Sequence, residues 1–97
     1  MTYLEEVRYA VRRMHGCDAE YLKSVPVRKV FMENVVFSGM VEVFELFGHC
    51  TARHAYAWGY QDSKDSTELK YAAFLHLPPT DSPLKAVEAF VADQRKG

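Results

Sequence analysis

The sequence is poor in cysteine, has no low-complexity segment and has almost no net charge, and each of these features excludes a class of protein. With only two cysteines in 97 residues, it has no framework of disulfides like that of small secreted domains. Its four prolines and five glycines form no low-complexity tract. Twelve Lys and Arg against thirteen Asp and Glu give a net charge of -1, which provides no strong field for nucleic acid or an anionic membrane.

Long apolar runs are also missing. No segment approaches the roughly 20 apolar residues that span a bilayer, and residues 1–13 carry charges in place of the apolar core of a secretion signal. We therefore expect a cytoplasmic protein in which Cys17 and Cys50 are free thiols. The hydrophobic content of 48% predicts one domain over residues 1–97.

Helices are predicted at both ends of this domain. Thr2 followed by Glu5 is typical of a capped helix start, and Gly16 favours a left-handed stop. Apolar residues recur between them at helical spacing: Leu4, Val7, Val11 and Met14. Ser82 and Pro83 then predict the start of a closing helix with an apolar side formed by Leu84, Val87 and Val91.

Between the helices the pattern is typical of antiparallel strands. Residues 17–26 are interpreted as a connector, and Val27–Met32 as a possible short strand. Val35–Phe47 predicts a long strand with Gly39 at a bulge or a close approach. A tight connection, Gly48-His49-Cys50, leads to a strand over residues 51–60. After a polar loop over 61–66, the last strand runs from Thr67 to Leu77 and ends at Pro78-Pro79.

The predicted order of helix, three or four antiparallel strands and helix resembles that of the double-stranded RNA-binding domain. The resemblance covers most of the chain but is one of topology alone. That family has a lysine cluster at the start of its last helix, where this chain reads Ser82-Pro83-Leu84-Lys85, with one lysine. The resemblance therefore implies an α+β fold and not RNA binding.

The strand Arg53–Tyr60 alternates small residues with aromatic ones and so predicts two unlike faces of the sheet. We expect Glu45 opposite Arg53 and Trp58 opposite Lys70. One face is predicted to be the core, with both helices packed on it: Val41, Val43, Ala55, Ala57, Leu69, Tyr71, Ala73 and Leu75. The other is predicted to gather Met40, Glu42, Phe44, His54, Tyr56, Trp58, Tyr60, Lys70, Phe74 and His76.

An aromatic face of this composition is too apolar for ordinary surface, so we expect a partner to cover it. Symmetric dimers are the commonest soluble oligomers, and the sequence therefore predicts a non-catalytic interaction module that forms a homodimer through this face. In the first alternative the face binds a small molecule, or is an active site in which His54 or His76 acts with Glu42 beside Tyr56.

The second alternative is single-stranded nucleic acid stacked on the aromatic rings, which is disfavoured because Lys70 is the one positive charge predicted there. His49, Cys50 and His54 are residues of metal-binding type, but their spacing matches no zinc pattern. We expect no metal and no cofactor.

Overall fold

The computed structural model describes residues 2–61 and 68–96, without the side chains of residues 95 and 96. The elements are α1 (Tyr3–His15), β1 (Asp18–Phe31), β2 (Asn34–Phe47), β3 (His54–Gln61), β4 (Leu69–Leu75) and α2 (Pro83–Lys96). The strands form one antiparallel sheet in the order β1-β2-β3-β4. The α+β class and the predicted element order are confirmed, with four strands; most of the predicted loop over 61–66 lies outside the described residues.

Helix α1 begins and ends where its capping residues predict. The side-chain oxygen of Thr2 accepts a hydrogen bond from the Glu5 N–H at 3.2 Å, and Gly16 adopts φ 63°. Val7 and Val11 are fully buried. The outer members of the predicted stripe, Leu4 and Met14, are exposed, so the buried side of the helix is narrower than the sequence indicates.

Strand β1 is much longer than predicted. It starts at Asp18, so the interpretation of residues 17–26 as a connector is wrong, and residues 27–31 are part of the same strand. An irregularity in the pairing with β2 falls between Tyr21 and Lys23 and interrupts the alternation of faces. Pro26 is tolerated because β1 is an edge strand.

The predicted register of β2 and β3 is wrong by one residue, because Glu45 lies opposite His54 and not opposite Arg53. The connection spans residues 48–53, where His49 Nδ1 accepts the N–H groups of Thr51 at 3.2 Å and Ala52 at 3.0 Å. This even-length connection shifts the pairing by one residue, and a one-residue shift turns every side chain of β2 to the opposite face.

The register of β3 and β4 differs from the prediction by two residues. Trp58 lies opposite Ala72 and not opposite Lys70, and Tyr56 lies opposite Phe74. A two-residue shift keeps each side chain on its predicted face.

The two helices pack on opposite faces of the sheet, so the prediction that both lie on one face is wrong. Val7 and Val11 of α1 pack in one cluster with the alternate β3 residue Ala55, on what we call the α1 face. Val87 of α2 packs in another cluster with Trp58, on the α2 face. Both faces are apolar enough to need a cover, and each terminal helix supplies one. The resemblance to the double-stranded RNA-binding domain is therefore limited to element order.

A close approach occurs at a different glycine from the predicted one. Gly39 pairs regularly with Val27, and a Cβ added there would have its nearest neighbours at 3.9 Å. At Gly59 an added Cβ would lie 3.1 Å from a ring carbon of Tyr3 and 3.2 Å from one of Tyr71. Gly59 therefore lets two tyrosine rings of the α1 face lie directly against β3.

The C-terminal end of α1 covers the free edge of β4. The His76 N–H donates to the His54 carbonyl at 2.8 Å, so the alternate residues of β4, Ala73 among them, direct their backbone groups away from β3. His15 Nε2 donates to the Ala73 carbonyl oxygen over 3.2 Å. A side chain thus occupies an acceptor that another strand would need for pairing.

Candidate ligand-binding site

Most of the predicted aromatic set lies together on the α2 face, beneath α2. Trp58 is 1% exposed, and its ring centroid lies 5.4 Å from that of Phe37, 5.7 Å from Phe74 and 5.3 Å from Phe90 of α2. The members of the predicted set that share this face are His54, Tyr56, Trp58, Tyr60, Lys70, Phe74 and His76. The chain itself covers much of the surface for which the sequence predicts a partner.

Met40, Glu42 and Phe44 lie on the α1 face, so their predicted grouping with the aromatic residues is wrong. The one-residue shift of β2 is the physical reason. Phe44 is fully buried in the cluster under α1. The carboxylate of Glu42 is also buried, where it accepts a hydrogen bond from the Ser24 hydroxyl.

A pocket of about 360 Å³ remains open on the α2 face, beside the start of α2. Four of its side chains carry polar groups: Lys23, His54, Tyr56 and His76. Its apolar wall is formed by Leu22, Val25, Val43 and Pro83. The volume is near the lower end of the range for small-molecule sites.

Two histidines and a tyrosine meet at the β3 side of this pocket. The ring centroids of His54 and His76 are 6.2 Å apart, with the planes at 77°. The Tyr56 hydroxyl is hydrogen bonded to His76 Nδ1. Burial, and after it the charge of Asp81, raises the pKa of Tyr56. The phenol therefore keeps its proton and can donate it to Nδ1, which leaves the Nε2–H of a neutral His76 as a donor.

Strand β1 contributes Lys23, a site residue that is absent from the predicted set because the sequence pattern over residues 17–26 predicts a connector. Lys23 pairs with Val43, which in turn pairs with Tyr56. The three side chains therefore form a row across the sheet. The two-residue spacing of Lys23, Val25 and Val27 was the available signal, and the irregularity before Lys23 obscured it.

Glu42, the carboxylate predicted to act with His54 or His76, lies on the other face of the sheet. Glu45, and not Glu42, is the register partner of His54 across β2 and β3. Glu45 does not line the pocket, and among the described residues that do, none is a carboxylate. Lys23, His54 and His76 thus keep a hydrogen-bond donor for the pocket, while the proton of Tyr56 is engaged by His76 Nδ1.

The start of α2 forms the upper wall. Pro83 is its first residue, and the Ser82 hydroxyl accepts the Lys85 N–H at 3.2 Å, as predicted for a capped helix. The first turn of α2 carries no acidic residue. The positive end of the helix dipole next to the pocket is therefore not neutralised from within that turn.

Other chemistries have less support in the geometry. Across residues 2–61 and 68–96, no three His, Cys, Asp or Glu side chains are grouped in a way that could hold a metal ion. Cys17 is half-buried; burial, and then the charge of Asp18, raises the pKa of its thiol. A raised pKa is the opposite of what a nucleophilic cysteine needs.

Neither helix of the described chain has the length and apolarity needed to cross a bilayer. Comparison with protein-family models, with curated proteins and with solved structures gave no match. Any functional conclusion therefore depends on the chemistry of the residues themselves.

Proposed function

We propose that this protein is a non-catalytic binding module that holds a small organic anion in the pocket formed by Lys23, His54, Tyr56 and His76. One observation carries the proposal: Lys23, His54 and His76 each have a hydrogen-bond donor for the pocket, and no lining residue among those described is a carboxylate. A site of that kind suits a ligand rich in acceptors, such as a carboxylate.

The pocket also supports a particular shape of ligand. Val25 and Val43 suit a short hydrophobic body, and Lys23 on one side of Val43 and the two histidines on the other can each interact with an anionic group. The first turn of α2 adds a favourable potential for negative charge, which the charge of Asp81 just before the helix partly offsets. The ligand class is therefore a small carboxylate with a compact apolar group.

The aromatic-face dimer and nucleic-acid stacking remain predictions of the sequence. Each needs exposed rings, and Trp58 and Tyr56 are buried beneath α2. Either function would require α2 to leave the sheet, so the open pocket is the better supported site.

The test is a titration with benzoate, observed by NMR at the ring protons of His54 and His76. Benzylamine, which has the same ring and the opposite charge, is the matched ligand. Benzoate should shift the histidine signals along a saturable curve, and benzylamine should not. Lys23→Gln should weaken benzoate binding by about 1.4- to 5-fold, because an exposed charge contributes roughly 0.2–1 kcal/mol.

Arg28→Gln is the control variant, since it removes one positive charge from the same strand. Arg28 pairs with Ser38, on the face opposite Lys23. Binding to this variant should equal that of the unaltered protein. Equal binding of benzylamine, or an effect of Arg28→Gln as large as that of Lys23→Gln, would refute the proposal. Tyr56→Phe should also weaken binding, since it leaves His76 Nδ1 without its phenol partner.

A further inference from the structure

Helix α1 carries a second stripe of residues besides the one that packs on the sheet. This outer stripe lines a groove of about 500 Å³ with Tyr71 of β4, and it consists of Glu6, Tyr9, Ala10, Arg13 and Met14. Their spacing places them on one side of a helix. Tyr9 is 51% exposed and Met14 is 52% exposed, so the stripe is largely apolar and open to solvent.

The charges of the outer stripe are arranged so that the stripe is complementary to itself. Glu6 lies toward the start of α1 and Arg13 toward its end, with Tyr9 and Ala10 midway between them. When two copies of such a helix pack antiparallel, Glu6 of each copy faces Arg13 of the other. At the centre, Tyr9 of each copy faces Ala10 of the other. A twofold interface requires this kind of self-complementarity.

We propose that two copies of this chain associate through the outer stripes, with the α1 helices antiparallel about a twofold axis between Tyr9 and Ala10. The large ring of Tyr9 fills the groove above the small Ala10 of the other copy. Glu6 and Arg13 form an ion pair at each end of the contact. This inference is independent of the ligand pocket, which lies on the opposite face of the sheet.

The side chains of the stripe are already held in suitable positions. Arg13 Nη1 donates to the Tyr9 hydroxyl at 3.1 Å, and its Cζ lies 5.7 Å from the centroid of that ring. Glu6 Oε2 accepts the Tyr71 hydroxyl at 2.9 Å, while Glu6 Oε1 has no hydrogen-bond partner among the described residues. The carboxylate is therefore oriented, with one oxygen left for the arginine of the other copy.

Two other routes to a dimer are less open. Pairing along the free edge of β4 is obstructed where His15 occupies the Ala73 carbonyl. Pairing through the α2 face is obstructed by α2 itself. A helix of 13 residues is about 20 Å long, so the contact is small and the dimer is expected to be weak, dissociating in the micromolar to millimolar range.

Charge exchange tests the proposal. Arg13→Glu and Glu6→Arg each place like charges at both ends of the contact, and each should weaken self-association by at least about tenfold. The two variants mixed together should associate, because the two acidic side chains of one stripe then face the two basic side chains of the other. Sedimentation velocity from roughly 1 µM to 1 mM covers the expected range.

Arg12→Glu is the matched control, since it makes the same charge change one residue away from the stripe. It replaces the ion pair with Asp18 at 3.4 Å by two like charges, both open to solvent, and it should dimerise like the unaltered protein. If Glu6→Arg does not fold without the Tyr71 hydrogen bond, Tyr9→Ala is used as the second variant. The half-exposed Tyr9 ring is not needed for folding, but its loss should weaken the dimer. A monomer throughout the concentration range, or no association of the mixed folded variants, overturns the proposal.

Discussion

Replacing Gly59 by alanine should destabilise the protein through steric contact alone. Its φ lies outside the left-handed region, so alanine meets no backbone strain there. The added methyl group would lie 3.1 Å from a Tyr3 ring carbon and 3.2 Å from a Tyr71 ring carbon. Overpacking of this kind costs about 1–3 kcal/mol, offset by about 0.4–1 kcal/mol from the stiffer unfolded chain. We expect a net loss of about 1–2 kcal/mol.

Gly39→Ala is the matched control, because an added Cβ there meets nothing nearer than 3.9 Å. This variant should be neutral or more stable by about 0.4–1 kcal/mol. Urea unfolding monitored by circular dichroism measures both changes, and thermal midpoints should differ in the same sense, by roughly 4–8 °C per kcal/mol. Equal stability of the two variants would show that Tyr3 and Tyr71 do not press on β3 as described.

Three further predictions concern single side chains. Burial lowers the pKa of His15 in the folded protein, so the unfolded chain binds the proton first as the pH falls. At pH values below about 6.5 the free energy of unfolding should therefore decrease. The decrease should be smaller in His15→Gln. Trp58 Nε1 is buried with no partner among the described residues. Trp58→Phe loses no hydrogen bond and should therefore lower the free energy of unfolding, measured in urea, by less than about 2 kcal/mol. Trp58→Ala should lower it by about 3–5 kcal/mol. The hydrogen bond from Lys29, 2.9 Å long, lowers the pKa of Glu88. Because both side chains are about one-third exposed, Glu88→Gln should lower the free energy of unfolding in a thermal melt at neutral pH by only about 0.2–1 kcal/mol.

The sequence predicts the helix boundaries well because they depend on neighbouring residues. Thr2 and Gly16 cap α1 through contacts within one turn, and Ser82 with Pro83 starts α2 in the same way. Such contacts are complete within a few positions of the chain. No distant element is needed to form them.

The candidate site could be predicted only in part because its composition depends on sheet register. His54, Tyr56 and His76 were grouped correctly, since the two-residue error between β3 and β4 preserves their face. The grouping of Glu42 with these residues is wrong because the length of the connection over 48–53 sets the register of β2. That connection is closed by hydrogen bonds to the ring of His49, and no repeating sequence pattern encodes its length. Lys23 was missed because an irregularity in β1 breaks the alternation just before it.

One of the helices that cover the sheet precedes the strands in sequence and the other follows them, which has a consequence for synthesis. The α1 face can close as soon as β4 has left the ribosome, because its helix precedes the strands. The face that holds Trp58 stays bare until the residues of α2 follow. A released chain that lacks α2 would leave the aromatic cluster around Trp58 uncovered, and exposed apolar surface of this kind promotes aggregation. The residues from Pro83 onward therefore determine when the newly synthesised chain no longer exposes this apolar surface.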